Sequence, residues 1–390
     1  MDARTLAIAT LNRRDWMQQF ALPAAAAFGV AGCFGDSRRY VVDRRAAADT
    51  RRHFVPVAST KANLIRSYAG LRPYRPAGYR LEAERLDGKQ LIHNYGHGGG
   101  GMTLSWGTAN QAIDLMQGNA PGRPIAVIGA GVVGLATAVL LLRQGFDVTV
   151  YAAKMPPHTT SNASAATFFP SHVIDAKQVT PKFAESLELA VRTSYHAYQR
   201  LAGARYGIRW MESYFLSDGK PNDLQPELET TINGKVVGDP GRKLARDEHP
   251  FNAPVVTLGR DLVIEPPVYL RALVQDVRDA GGRFVIRRFE SVRDLAQLTQ
   301  GTIFNCTGLG ARTLVNDTGL TPARGQIAMV TPSADVDYTL YHGAFYYMVP
   351  RADGILLGGT FDVGVDSTTP DPAIEASLLA AHAKVFDAMR

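Results

Sequence analysis

The apolar residues between positions 124 and 151 run in the order strand, turn, helix, strand. Residues 125–128 are a run of small and β-branched side chains, the pattern of a buried strand. An apolar stretch of helical length ends near Gly145, and residues 148–151 form a second strand. Gly129, Gly131 and Gly134 stand between the first strand and the helix in a G-x-G-x-x-G spacing. This order predicts a βαβ unit that holds a dinucleotide. Gly129 permits the tight turn, Gly131 lets the backbone approach a pyrophosphate, and Gly134 lets the helix pack close to its strand, with the phosphates on the positive helix N-terminus. A glycine-rich turn in an ordinary α/β domain is the alternative. The acidic residue that would bind the adenosine ribose is missing, because Ala152, Ala153 and Lys154 follow Tyr151. That gap speaks against a nicotinamide dinucleotide and leaves the ribose contact unassigned.

Upstream, residues 62–69 read as the end of a helix. Pro73 and Pro76 then force an extended path, since the residue before a proline avoids the helical region. Residues 91–95 form a short strand, followed by the glycine loop 96–101 and a helix over 103–116. This is a second geometry in which backbone N–H groups meet an anion or a polarised carbonyl. Downstream, helices are expected at 182–202, 266–280 and 374–389. Strands are expected at 207–215, 255–264, 284–289, 302–304, 327–330, 346–349 and 355–359. Residues 217–253, polar and rich in Gly, Pro, Asp and Asn, read as excursions of a second, sheet-based domain.

A length of 390 residues predicts two or three domains. The composition, 46% hydrophobic and 20% charged, is that of a soluble globular protein, and nothing after residue 40 approaches the roughly 18 apolar residues of a membrane span. The net charge of +6 is spread along the chain without a DNA or RNA motif, so no nucleic-acid partner is expected. Cys33 and Cys306 are too few for a disulfide framework. His93 and His97, without carboxylate partners in the sequence, read as structural rather than metal-binding.

Asn12-Arg13-Arg14-Asp15-Trp16-Met17 resembles the twin-arginine signature. It precedes an alanine-rich apolar segment ending in Val30-Ala31-Gly32-Cys33, which resembles a lipobox. Residues 1–33 are therefore expected to be a twin-arginine lipoprotein signal. The protein would be exported to the periplasm or cell surface, touching a membrane only through a lipid anchor on Cys33; a cytoplasmic protein is the alternative. Residues 34–60, with three arginine pairs, read as a charged tether.

A family resemblance runs through short motifs in order: residues 127–135, Val150-Tyr151-Ala152, Thr159-Thr160-Ser161-Asn162, Leu262-Val263-Ile264-Glu265, Asn305-Cys306-Thr307-Gly308, Arg324-Gly325-Gln326-Ile327, Tyr347-Met348-Val349-Pro350 and Leu357-Gly358-Gly359. In these the chain resembles D-amino acid oxidase and D-aspartate oxidase, which are FAD-dependent enzymes. Two longer matches, Leu71-Arg72-Pro73-Tyr74-Arg75-Pro76 and Ile92-His93-Asn94-Tyr95-Gly96-His97-Gly98-Gly99, belong at the C-terminal end in that family. Here they come first and have no second copy. The resemblance thus has a circularly permuted order, with residues 117–123 joining the family's last helix to its first strand. It implies an α/β fold with a Rossmann-like FAD-binding domain and a second domain built on a mainly antiparallel sheet. Residues 61–180 and 301–323 would belong to the first, and 181–300 and 324–390 to the second.

The resemblance also implies FAD as cofactor and oxidative deamination of a D-amino acid, with hydride leaving Cα for flavin N5 and oxygen accepting the electrons. A quinone or other carrier as acceptor, and a flavin-retaining lipoprotein that binds carboxylates without turnover, stay open. Arg72 would clamp the substrate carboxylate with its guanidinium fork. Tyr347 would meet the same carboxylate, and the Gly99 carbonyl would accept the substrate amine. An arginine near prolines is otherwise a surface residue, and a strand tyrosine a packing residue. Gly129, Gly131, Val132, Gly134, Thr160, Ser161, Gly98, Gly101, Met102 and Thr103 would contact the cofactor, the helix at Thr103 aiming its N-terminus at the flavin pyrimidine. The family's lid tyrosine is unmatched: Gly343 stands at that spacing, with Tyr341 and His342 nearby. Side-chain preference is therefore open.

Overall fold

Two β-sheets divide the strands between them, and the polypeptide crosses from one to the other several times. The computed structural model describes residues 53–118, 120–165, 167–219, 227–343 and 345–390. The expected signal and Cys33 lie outside them, as does most of the expected tether. In chain order, β1 (Leu64–Tyr74), β2 (Arg80–Leu86) and β3 (Lys89–Tyr95) lead into α1 (Gly101–Asp114), then β4 (Pro124–Ile128), α2 (Val132–Arg143) and β5 (Asp147–Ala152). Next come α3 (Pro181–Leu201), β6 (Ile208–Ser217), α4 (Glu227–Val237), β7 (Arg242–Lys243), β8 (Val255–Ile264), α5 (Pro266–Asp279), β9 (Arg283–Ile286), α6 (Val292–Ala296) and β10 (Thr302–Asn305). The chain ends with α7 (Ala311–Leu314), β11 (Thr321–Val330), β12 (Tyr338–His342), β13 (Tyr346–Arg351), β14 (Gly354–Gly358), β15 (Asp362–Val363) and α8 (Pro372–Phe386).

The smaller sheet has the order β2-β3-β10-β4-β5-β9 and is parallel except for the edge strand β2. Its central strand β4 is apolar without alternation because both faces are covered. Ile125 and Val127 pack toward α1, α2, α3 and α5, and Ala126 and Ile128 toward Leu295, Leu298 and Leu314. Close helix packing depends on Gly107 of α1, where an added Cβ would lie 2.1 Å from the Ala190 carbonyl oxygen of α3. The larger sheet runs β1-β11-β14-β13-β12-β6-β8-β7, with β15 also on β11. It is mainly antiparallel, with one parallel pair, β6 and β12. One of its faces is sealed by α8 and by Phe54 and Val57. The chain is thus α/β, with a Rossmann-like sheet and a second domain on a mainly antiparallel sheet.

Several expectations need correction. Residues 62–69 are not the end of a helix but a 3-10 turn and the start of β1, which pairs with β11 from Leu64 to Tyr74. The reason is a tertiary one: β11 supplies this stretch with an antiparallel hydrogen-bonding partner that no local signal reports. Phe54 packs edge-on against Tyr214, Phe251 and Tyr338 at ring distances of 5.2–5.4 Å, so the last residues of the expected tether are part of the core. The strand expected at 284–289 stops at Ile286, and the polar excursion at 217–253 contains the helix α4. The expected domain boundaries also shift, because β1 joins the larger sheet while α5 and β9 belong to the smaller one.

Burial leaves several histidines neutral. It holds His97 and His342 down to about 3, the latter helped by His382, and His172 down to about 4, helped by Arg72. In the unfolded chain these rings take up protons near pH 6.5. Between there and about pH 4 the unfolded state binds more protons, so stability is fully present above about pH 6.5 and declines as pH falls. The thermal midpoint at about pH 5 is therefore expected below that at about pH 7; an unchanged midpoint in calorimetry contradicts this.

Candidate active site

The exposed ladder of the larger sheet faces the smaller sheet across a cavity of about 1750 Å³. Directly paired residues share a face. The register Ile327↔Gly358, Gly358↔Tyr347 and Tyr347↔Tyr341, continued by Tyr341↔Phe215, lays these positions across one roof, with Gly325 two residues along β11 from Ile327 and Arg72 two residues beyond Gly70, the β1 partner of Gly325. Two glycines make that roof usable. A Cβ at Gly325 would overlap the Arg72 guanidinium at 2.1 Å, and one at Gly358 would overlap the Tyr347 ring at 2.1 Å. Both polar side chains therefore lie flat against the sheet in space that any other residue would fill.

Arg72 donates from Nη1 to the Thr360 carbonyl at 3.0 Å, and its guanidinium stands 5.6 Å from the Phe361 ring centre. Burial lowers its pKa, while Tyr347 and Asp362 oppose the shift. Burial raises the Tyr347 phenol, and the Arg72 charge pulls it back. The structure thus brings Arg72 and Tyr347 together, whereas Arg75 turns away to an ion pair with Asp317 at 3.1 Å. Further along the roof, Asp261 accepts hydrogen bonds from Tyr341 at 2.6 Å and Thr339 at 2.8 Å. Gly343 (φ 58°) sits in the short connection between β12 and β13.

On the floor, Gly98, Gly99, Gly101, Met102, Thr103, Gly129, Gly131, Val132, Thr160 and Ser161 all line the cavity. Gly134 does not. An added Cβ there would lie 2.0 Å from the Gly129 carbonyl oxygen, so its role is to let α2 press on the glycine turn, not to touch a ligand. The Thr103 hydroxyl bridges the backbone of Phe169, donating to its carbonyl at 2.9 Å and accepting from its N–H at 3.0 Å. Gly98 and Gly99 also serve a packing purpose. Added Cβ atoms would meet the carbonyl oxygens of His172 at 2.0 Å and Ser171 at 2.6 Å.

The floor fits a flavin dinucleotide. Gly129, at φ 113°, leaves only 2.5 Å between an imagined Cβ and the Cys306 carbonyl oxygen, so the turn beneath α2 is closed to side chains. The first α2 amide, Val132 N–H, points at an oxygen, Ser161 Oγ, at 3.0 Å. Asn94 is fully buried in the cavity wall, and neither atom of its side-chain amide has a protein partner, which leaves a donor and an acceptor for a ligand. Where the ribose acid is missing, Lys154, Arg287 and Arg288 line the cavity instead. Sequence reasoning passed over Asn94, His172 and these arginines.

The model of the FAD dependent oxidoreductase family matches residues 24–115 and 124–390. The chain belongs to this family. FAD is the cofactor of this oxidoreductase, and the glycine turn, the α2 N-terminus, Asn94 and the α1 loop would hold it. The chain is 31% identical to a D-amino-acid oxidase of Rubrobacter xylanophilus, covering 68% of this chain and 77% of that relative. It is 28% identical to a human D-aspartate oxidase, covering 66% and 74%. Among solved structures, glycine oxidase of Geobacillus kaustophilus shares the fold, with a TM-score of 0.50 at 17% identity over 67% of this chain and 78% of that one.

Proposed function

We propose that this FAD-dependent enzyme oxidises a D-amino acid at Cα to the imino acid, which water hydrolyses to the 2-oxo acid, with oxygen reduced to hydrogen peroxide. The observation that carries this reading is that Arg72 and Tyr347 line one cavity, each packed over a glycine of the same sheet, opposite the dinucleotide floor. Bound FAD supplies the two-electron acceptor for the Cα–H bond. The protein's part is to orient. Arg72 meets the carboxylate with two parallel N–H donors, Tyr347 adds a hydroxyl, and the Gly99 carbonyl accepts from the amine. No side chain need act as a base on Cα. The relatives named D-amino-acid oxidase and D-aspartate oxidase support the substrate class.

Two further features belong to this proposal. The position of the 71–76 and 92–99 motifs ahead of the glycine turn supports a circular permutation, and the family match breaks at the expected junction, residues 116–123. The sequence of residues 12–33 supports twin-arginine export and lipidation of Cys33. Purified protein is expected to release peroxide with at least one member of a D-amino acid panel and with none of the L-enantiomers. Turnover with a quinone but not with oxygen moves the acceptor assignment, and inertness toward the whole panel with either acceptor removes the D-amino acid reading.

A further inference from the structure

The lid tyrosine of the family resemblance is unmatched, and a residue outside every motif quoted for that resemblance, His172, lines the cavity beside Arg72. It stacks on Phe361, with ring centres 4.1 Å apart, the ring that also carries the Arg72 guanidinium. Its other neighbour in the stack is Phe345 at 5.7 Å, from the short connection between β12 and β13. The imidazole is built in place. His172 holds φ at 50°, a conformation that non-glycine residues seldom adopt and that gathers at functional sites. Gly98 and Gly99 are cut away so that the backbone of Ser171 and His172 can press against the glycine loop. Ser171 Oγ lies 2.5 Å from His172 Nδ1.

We propose that His172 is a substrate-binding residue that donates from Nε2–H to the carboxylate held by Arg72, in place of the absent lid tyrosine. As part of this assignment the Ser171 hydroxyl donates to Nδ1, which places the single proton of the neutral ring on Nε2. The ring stays neutral because burial and the Arg72 charge both oppose protonation. This assignment rests on the amino acid reading above and adds a named residue to it.

The test uses the FAD-loaded enzyme, its His172→Ala, His172→Gln and Ser171→Ala variants, and two measurements. The first is kinetics with the best D-amino acid. The second is titration of benzoate, with benzamide as the carboxylate-free control, read from the flavin absorbance. H172A is expected to raise KM and the benzoate Kd about ten- to hundredfold, the loss of one hydrogen bond to a charged group, while kcat changes less than about threefold. H172Q, which keeps an N–H donor, recovers most of the loss, and benzamide binding stays level. S171A, which frees the tautomer, shifts KM in the same direction by less. If H172A does not retain FAD, a benzoate Kd raised in S171A and largely kept in H172Q decides for the assignment. KM and benzoate Kd within twofold of the parent in the FAD-retaining variants overturn it while leaving the oxidase reading intact. A parent enzyme that neither turns over a D-amino acid nor binds benzoate takes both down.

Discussion

Replacing Arg72 by alanine is expected to lower kcat/KM for the best D-amino acid at least a hundredfold, about 3 kcal/mol of lost transition-state stabilisation. The magnitude follows from where the guanidinium sits. It is anchored by the Thr360 carbonyl, flattened over Gly325 and faced by Phe361, so its remaining N–H groups are pre-oriented toward the cavity. Removing it takes away the charge-assisted donor that the proposal assigns to the carboxylate, at a buried position where an unpaired charge is expensive. Lysine does not replace it, because an ammonium point charge lacks the planar fork. Steady-state kinetics on the FAD-loaded variant measure the effect; a loss of tenfold or less means the carboxylate is held elsewhere.

The second large effect concerns the cofactor. Gly134→Ala is expected to weaken FAD binding by about a hundredfold, near the upper end of what overpacking costs. The added methyl group meets a backbone carbonyl, Gly129 O at 2.0 Å, and not the end of a flexible side chain, so α2 must lift from the turn that it closes. The flavin-to-protein absorbance ratio after purification and the thermal midpoint both report this. Parent-like flavin content in the variant contradicts it.

The elements legible in the sequence were those with strong local signals. The apolar run of β4, the glycines after it and the helix stop at Gly281-Gly282 each act within a few residues, so the βαβ unit and α5 could be read directly. Strands whose pattern depends on distant partners were not. β2, with the polar sequence RLEAERL, is an exposed edge; its hairpin to β3 is signalled only by Asp87-Gly88, both at positive φ. β1 looked helical because its Ala and Leu positions carry no information about β11, its partner more than two hundred residues away.

The site divides in the same way. Arg72, Tyr347 and the cofactor glycines sit in motifs and reach the cavity, apart from Gly134, whose spacing is right but whose role is packing. The same glycine-rich motifs hide their physical purpose. Gly325 and Gly358 are empty so that the side chains of Arg72 and Tyr347 can lie against the sheet, which no spacing rule shows. His172 and Asn94 depend on tertiary approach: one is pressed against the glycine loop, the other is buried with an unpartnered amide.

The central claim is that Arg72 and Tyr347 hold an amino acid with its Cα against the flavin. Anaerobic mixing of the purified, FAD-loaded enzyme with single enantiomers tests it without regard to the electron acceptor. The account predicts that a D-amino acid bleaches the flavin absorbance while its L-enantiomer leaves it unchanged, and that the bleaching is slowed at least about a hundredfold in the Arg72→Ala variant. A flavin spectrum that no D-amino acid bleaches, or one bleached equally fast with and without Arg72, contradicts it.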